Sequence, residues 1–179
     1  MMTSTAVTEI ITDDFRSQAA EIETVKAFHR AFPTGVTIVT AKSESGAPAG
    51  LVVNAFSSVS MEPPMVLVCV NRSSQSHETF AAGRHIGISV LADNQSNEAM
   101  SFAKSGGDKF SAVTWHDAPN GSPLIDGSAA ALEMEIVQLV SAGTHTVFFG
   151  IVTSVETSNN APLLYHDGKF FEGNNLKAV

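Results

Sequence analysis

The densest set of residues able to do chemistry surrounds one short apolar run. Asn54, Ser57, Ser58 and Ser60 precede Met65–Val70, and Asn71, Arg72, Ser73, Ser74 and Ser76 follow it. If the flanking loops meet at one end of a sheet, they offer hydroxyls, amides, backbone N–H groups and one guanidinium. Such donors can satisfy phosphate oxygens while the arginine supplies charge, with no lysine-rich cradle. Ser76 also stands where a short helix would start, adding the positive end of its dipole. The same serines would equally serve as turn and cap residues that satisfy the backbone. His145 is the second candidate. Strand alternation places it with Val147, Phe149 and Ile151, either as a core-edge imidazole or as a polar group at a cavity mouth that positions a ligand amide. Phe110 and Trp115 lie in a loop-rich segment, where they either lid a cavity or pack into the core.

Other chemistries lack their residues. The six histidines show no H-x-x-x-H or H-E-x-x-H spacing, so no metal site is expected. A single cysteine, Cys69, excludes a disulfide framework and reads as a small core residue. Glu133 and Glu135 share one face of a strand and read as a solvated outer face. No G-x-G-x-x-G follows a strand, and neither a phosphate-loop lysine motif nor G-x-S-x-G is present. Ten basic against eighteen acidic residues give a net charge of −8, which disfavours nucleic acid. Lys42, Arg72, Arg84, Lys104 and Lys109 stand singly along the chain. The first residues lack the basic start and apolar run of a signal peptide. The longest apolar stretch, Met65–Val70, is too short to cross a bilayer. A cytoplasmic protein with no membrane association is expected.

Positioning these groups falls to one domain of mainly β structure. The 179 residues, 44% apolar and 16% charged, suit a single core. Residues 1–12 read as a loose leader and 13–179 as the domain. Between Asp14 and Phe32, Ile22, Val25, Phe28 and Phe32 recur at helical spacing, and Pro33-Thr34-Gly35 ends that helix. Strands are expected at Val36–Ala41, Leu51–Phe56, Met65–Val70, Ile86–Leu91, Ala130–Val140 and Val147–Val155. His166-Asp167-Gly168 marks a hairpin between Leu163–Tyr165 and Lys169–Phe171. Ser76–Ala82 and Gln95–Ala103 read as short helices, and residues 108–128 as loop. Short spacings without intervening helices predict antiparallel pairing, and a small closed barrel would hide the sheet edges.

The order of segments carries more than any one of them. FHRAFPTGVTIVT at 28–40, GLVVNAFSSVS at 50–60, EPPMVLVCV at 62–70 and NRSSQS at 71–76 are followed by DKF at 108–110, GSPLI at 121–125, GTH at 143–145 and PLLY at 162–165. Together they resemble the flavin reductase-like family, the small NAD(P)H:flavin oxidoreductases that feed two-component monooxygenases. The resemblance implies a split β-barrel related to FMN-binding proteins, a homodimer with flavin near the subunit interface, and FAD or FMN as the flavin. It implies that Thr34 and Thr37 lie near the isoalloxazine. Val53, Asn54, Ser57, Ser58, Cys69, Asn71, Arg72, Ser73, Ser74 and Ser76 would hold the ring edge, ribityl chain and phosphate, with Phe110 beside the ring. His145 would contact the nicotinamide, with Pro33, Thr34 and Tyr165 as neighbours. Scarce basic residues favour NADH over NADPH. One departure is His85, where relatives often carry Gly-Arg-Phe before the following strand. The implied reaction is hydride transfer to flavin, with reduced flavin passed to a separate monooxygenase. The alternatives are a non-catalytic flavin-carrying barrel and a flavin oxidase acting directly on an organic substrate.

Overall fold

In the computed structural model, which describes residues 7–9 and 19–179, the β-branched runs form strands β1 (Val7–Glu9), β2 (Thr34–Gly35), β3 (Thr37–Lys42), β4 (Pro48–Val53), β5 (Phe56–Met61), β6 (Pro64–Asn71) and β7 (His85–Val90). They continue as β8 (Trp115–Asp117), β9 (Pro123–Ile125), β10 (Ala130–Ala142), β11 (His145–Thr157), β12 (Leu163–His166) and β13 (Lys169–Glu172), with helices α1 (Ile22–Ala31), α2 (His77–Ala82) and α3 (Ser96–Ala103). The main sheet runs β4-β3-β7-β10-β11-β6-β5, with every neighbour antiparallel. β1 adds to β10 in parallel, Val7 opposite Leu139. The core shows how this sheet bends. Leu51 and Val53 from one end of the path and Phe56 from the other pack on one cluster with Val68, Ile86, Met134 and Phe148. A flat sheet could not bring its two ends to a common core, so the sheet wraps around it.

Local chemistry explains the turns. At the β12–β13 hairpin, Asp167 and Gly168 both take positive φ, 47° and 77°, as a two-residue turn of this hand requires. The mainly antiparallel architecture, α2, α3, the β10–β11 pair and the 166–168 hairpin follow the sequence expectations. Several details differ. The serine-rich segment expected as a loop, residues 54–60, is largely strand β5 at a sheet edge, with Ser57 and Ser58 exposed. The loop-rich 108–128 segment contains the β8–β9 ribbon. The part of the expected helix at residues 14–18, and residues 1–6 and 10–12 of the expected leader, lie outside the described residues. Within α1 no residue is buried, and the apolar residues that recur at helical spacing are exposed: Ile22 at 70% and Phe28 at 72%. No helix among the described residues is long and apolar enough to cross a membrane.

Glu133 is the largest correction. Far from facing solvent, it is completely buried, because the β8–β9 ribbon covers this face of β10 through Ala118, Leu124 and Ala131. Its Oε2 accepts bonds from the Asn120 backbone N–H and side-chain amide, each 2.9 Å, and its Oε1 accepts the Ser122 N–H at 2.9 Å. Glu135 behaves differently: it meets solvent and pairs with Arg84 at 2.7 Å. Burial pushes the Glu133 pKa up, but the bonds from Ser122 and Asn120 outweigh it and the pKa is lowered. A carboxyl more acidic when folded stabilises the protein above its unfolded value, and that contribution disappears as pH falls through the lowered one. Glu133→Gln places an N–H₂ against N–H donors. It should lower the unfolding free energy by about 1–3 kcal/mol and flatten the acid limb of stability against pH, measured by urea denaturation.

Candidate functional site

Gly50, in β4, stands behind a donor-rich surface. A Cβ there would stand 2.9 Å from Phe102 Cε1 and 3.0 Å from the Val39 carbonyl oxygen, so only glycine lets α3 lie this close on the strand. The Gly50 carbonyl accepts the buried Ser76 hydroxyl at 3.1 Å and Lys109 Nζ at 3.3 Å. Lys109 also reaches the Phe102 carbonyl at 3.1 Å. Burial lowers its pKa from the ordinary lysine value, so an ammonium here gains from an anion beside it. The 71–76 loop is held by its own bonds. Asn71 Oδ1 accepts the Ser73 N–H and hydroxyl, each 2.9 Å, and Ser74 Oγ accepts the Ser76 N–H at 3.3 Å.

The space in front of these groups is a cavity of about 430 Å³ whose lining includes Asn71, Ser73, Ser74, Ser76, Lys104 and Lys109. It shares Val52 and Ala103 with a second cavity of about 370 Å³, lined mostly by apolar groups from Val36, Val53, Ala99, Met100 and Phe170, with Asn54 and Tyr165. The two form a trough, apolar at one end and rich in hydroxyl, amide and ammonium donors at the other. That donor set fits a planar ring carrying a phosphorylated chain. The half-buried Thr34 has a buried Oγ1 with no hydrogen-bond partner among the described residues, as do Ser122 Oγ and Ser154 Oγ. Thr34 pairs with Tyr165 through the backbone, at the apolar end.

The remaining sequence candidates are spread in and around the trough. Val53, Asn54, Asn71, Ser73, Ser74, Ser76 and Tyr165 line the trough. Thr37 is buried and its hydroxyl donates to the Val53 carbonyl at 2.8 Å, so it supports the trough from behind. Phe110 is also buried, edge-on to Phe102 at 5.1 Å, one layer beneath the wall. Cys69 lies half-buried in β6, and burial raises its thiol pKa, which keeps it protonated.

Arg72 turns away from the trough: it donates to Ser141 Oγ at 2.6 Å and to the Gly143 carbonyl, tying down the β10–β11 turn. His145 begins β11 directly opposite Asn71, with Nδ1 2.9 Å from the Thr144 hydroxyl. It sits on the half-buried face of β11 with Val147 and Phe149, while Thr146 and Phe148 fill the core. Pro33, Ser57, Ser58, Arg72 and His145 line neither cavity. In the sequence alone Lys104 and Lys109 read as isolated charges. The signal was available in DKF, where Lys109 immediately precedes a buried aromatic.

Residues 28–174 match the family described as "Flavin reductase like domain", and the chain belongs to that family. Its fold is the split β-barrel of the flavin reductases. A stachydrine N-demethylase reductase subunit from Rhizobium meliloti is 38% identical over 79% of this chain and 61% of its own length. An NADH:FMN oxidoreductase from Rhodococcus qingshengii is 35% identical over 82% and 79%. A solved NADH:FAD oxidoreductase from Streptomyces globisporus, in complex with NAD and FAD fragments, superposes with a TM-score of 0.78 at 33% identity, covering 91% of this chain and 95% of that one. The chain spans about half the length of the first curated relatives it matches, 61%, 45% and 45%. Gly50→Ala should destabilise the protein by about 1–3 kcal/mol through overpacking against Phe102. Thermal denaturation measures the loss.

Proposed function

We propose that this chain is an NAD(P)H-dependent flavin reductase that moves a hydride from NADH to FAD or FMN and supplies the reduced flavin to a separate monooxygenase. The observation that carries this reading is the trough of two joined cavities, apolar beside Tyr165 and Val53, donor-rich at Ser73, Ser74 and Lys109. The names of its relatives agree with it: an NADH:FMN oxidoreductase and several monooxygenase reductase components.

When bound, the flavin would supply the electron-accepting chemistry, taking up the hydride that NADH gives as it is oxidised to NAD⁺. The protein's part is to orient and to exclude water. The apolar walls from Val36, Val52, Val53 and Phe170 hold a ring flat and dry. Lys109, Lys104, Ser73 and Ser74 bind the phosphate, and Asn54 and Asn71 contact polar edges. His145, beside Asn71, aligns the nicotinamide carboxamide, with Pro33, Thr34 and Tyr165 near the stacked rings. Ser57, Ser58, Cys69, Arg72 and Phe110 then act mainly on the shape of this site. A second copy of the chain covers exposed apolar groups such as Met61 on edge strand β5, 79% exposed, and completes the site as a homodimer in the cytoplasm.

NADH oxidation followed at 340 nm with and without FAD, FMN and riboflavin tests the reading. Turnover should require added flavin. A flavin-loaded protein without NADH turnover would instead indicate a carrier. Lys109→Met should weaken FMN binding about tenfold, the expected loss of one charge-assisted bond, and riboflavin, which lacks the phosphate, much less. His145→Ala should lower kcat/KM for NADH while leaving the flavin Kd within twofold; an equal loss in both would remove His145 from the nicotinamide contact.

A further inference from the structure

Beyond the trough's apolar end lies a third cavity of about 250 Å³, joined to it through Asn54, Tyr165 and Gly168. Its other wall comes from α1, through Lys26, His29 and Arg30, with Asp167 from the β12–β13 turn. Spaced i, i+3 and i+4, the three basic side chains share one helix face. The helix is fixed against the turn by the Asp167 N–H, which donates to the Arg30 carbonyl at 3.3 Å. Phe32, just beyond the helix, also lines the cavity, and no residue of α1 is buried, so its basic side chains remain free to meet a ligand. Lys26 also pairs with Glu23 at 2.8 Å, but both side chains are well exposed, 56% and 77%, and such a pair yields readily to a stronger anion.

From this we infer that the cavity under α1 binds the bridging diphosphate of the nicotinamide dinucleotide, with Lys26 and Arg30 as the specificity-determining residues. This rests on the reductase reading and extends it. The flavin phosphate already has Lys104, Lys109 and the serines at the far end of the trough, so a second anion site across the apolar segment belongs to the second substrate. Two cations match the two negative charges of the diphosphate, and His29 adds a ring donor. Asp167 in the same wall suits a ribose hydroxyl and repels a ribose phosphate, so the dinucleotide is NADH rather than NADPH.

The test compares NADH with dihydronicotinamide riboside, which carries the same reacting ring and no phosphate, in the full chain and in Lys26→Met/Arg30→Met. These positions bury nothing, so circular dichroism and the FMN Kd should match the parent. The expected result is a loss of tenfold or more in kcat/KM for NADH, the size of at least one lost charge-assisted bond, and less than twofold for the riboside. The NADH KM of the parent should also rise with ionic strength more steeply than that of the variant. Equal effects on the two reductants would overturn the inference, as would a loss confined to FAD affinity or a parent that prefers NADPH. A parent that oxidises neither reductant with any flavin would refute the reductase reading itself, whereas turnover insensitive to both substitutions would refute only this assignment.

Discussion

The close approach at Gly50 is the constraint on which the trough depends. Because no side chain intervenes, Phe102 of α3 rests on β4, and the Gly50 carbonyl can take bonds from both Ser76 and Lys109. Three segments far apart in the chain thereby meet: the strand, the loop after β6 and the segment after α3. Each alone is unremarkable in charge. Together they place hydroxyls and a desolvated ammonium around one space, in a chain whose net charge of −8 would otherwise repel a phosphate.

The division of labour along the trough follows from the same packing. Residues from β4 and α3 supply an apolar stretch, and polar groups stand at its two ends. Arg72, the guanidinium nearest in sequence to the serines, instead holds the β10–β11 turn through Ser141 and Gly143. That turn carries His145 to a position across from Asn71. Arg72 therefore acts on the position of His145, while the ammonium groups beside the trough, Lys104 and Lys109, come from the segment after α3.

Short-range patterns made much of this legible. Alternation located β10 and β11, glycine and aspartate marked the 166–168 turn, and the ordered run of motifs pointed to the family. What the pattern missed came from long-range packing. Glu133 alternates like a solvent-facing residue, yet the β8–β9 ribbon folds over it and its carboxylate becomes the acceptor for the 120–122 turn. The apolar residues of α1 recur at helical spacing, yet no residue of the helix is buried. The serines of β5 look like a binding loop, although edge pairing with β6 leaves Ser57 and Ser58 pointing to solvent. Lys109 looks isolated because one of its partners, the Gly50 carbonyl, lies 59 residues away in the chain.

The most direct measurement is a crystal structure of the protein soaked with FMN. The account predicts density for the ring against Val52, Val53 and Tyr165, with phosphate oxygens in hydrogen-bond contact with Lys109 and the Ser73–Ser74 loop. Density for the ring elsewhere, or a phosphate held by Arg72 with Lys109 still bound only to the carbonyls of Gly50 and Phe102, would contradict it.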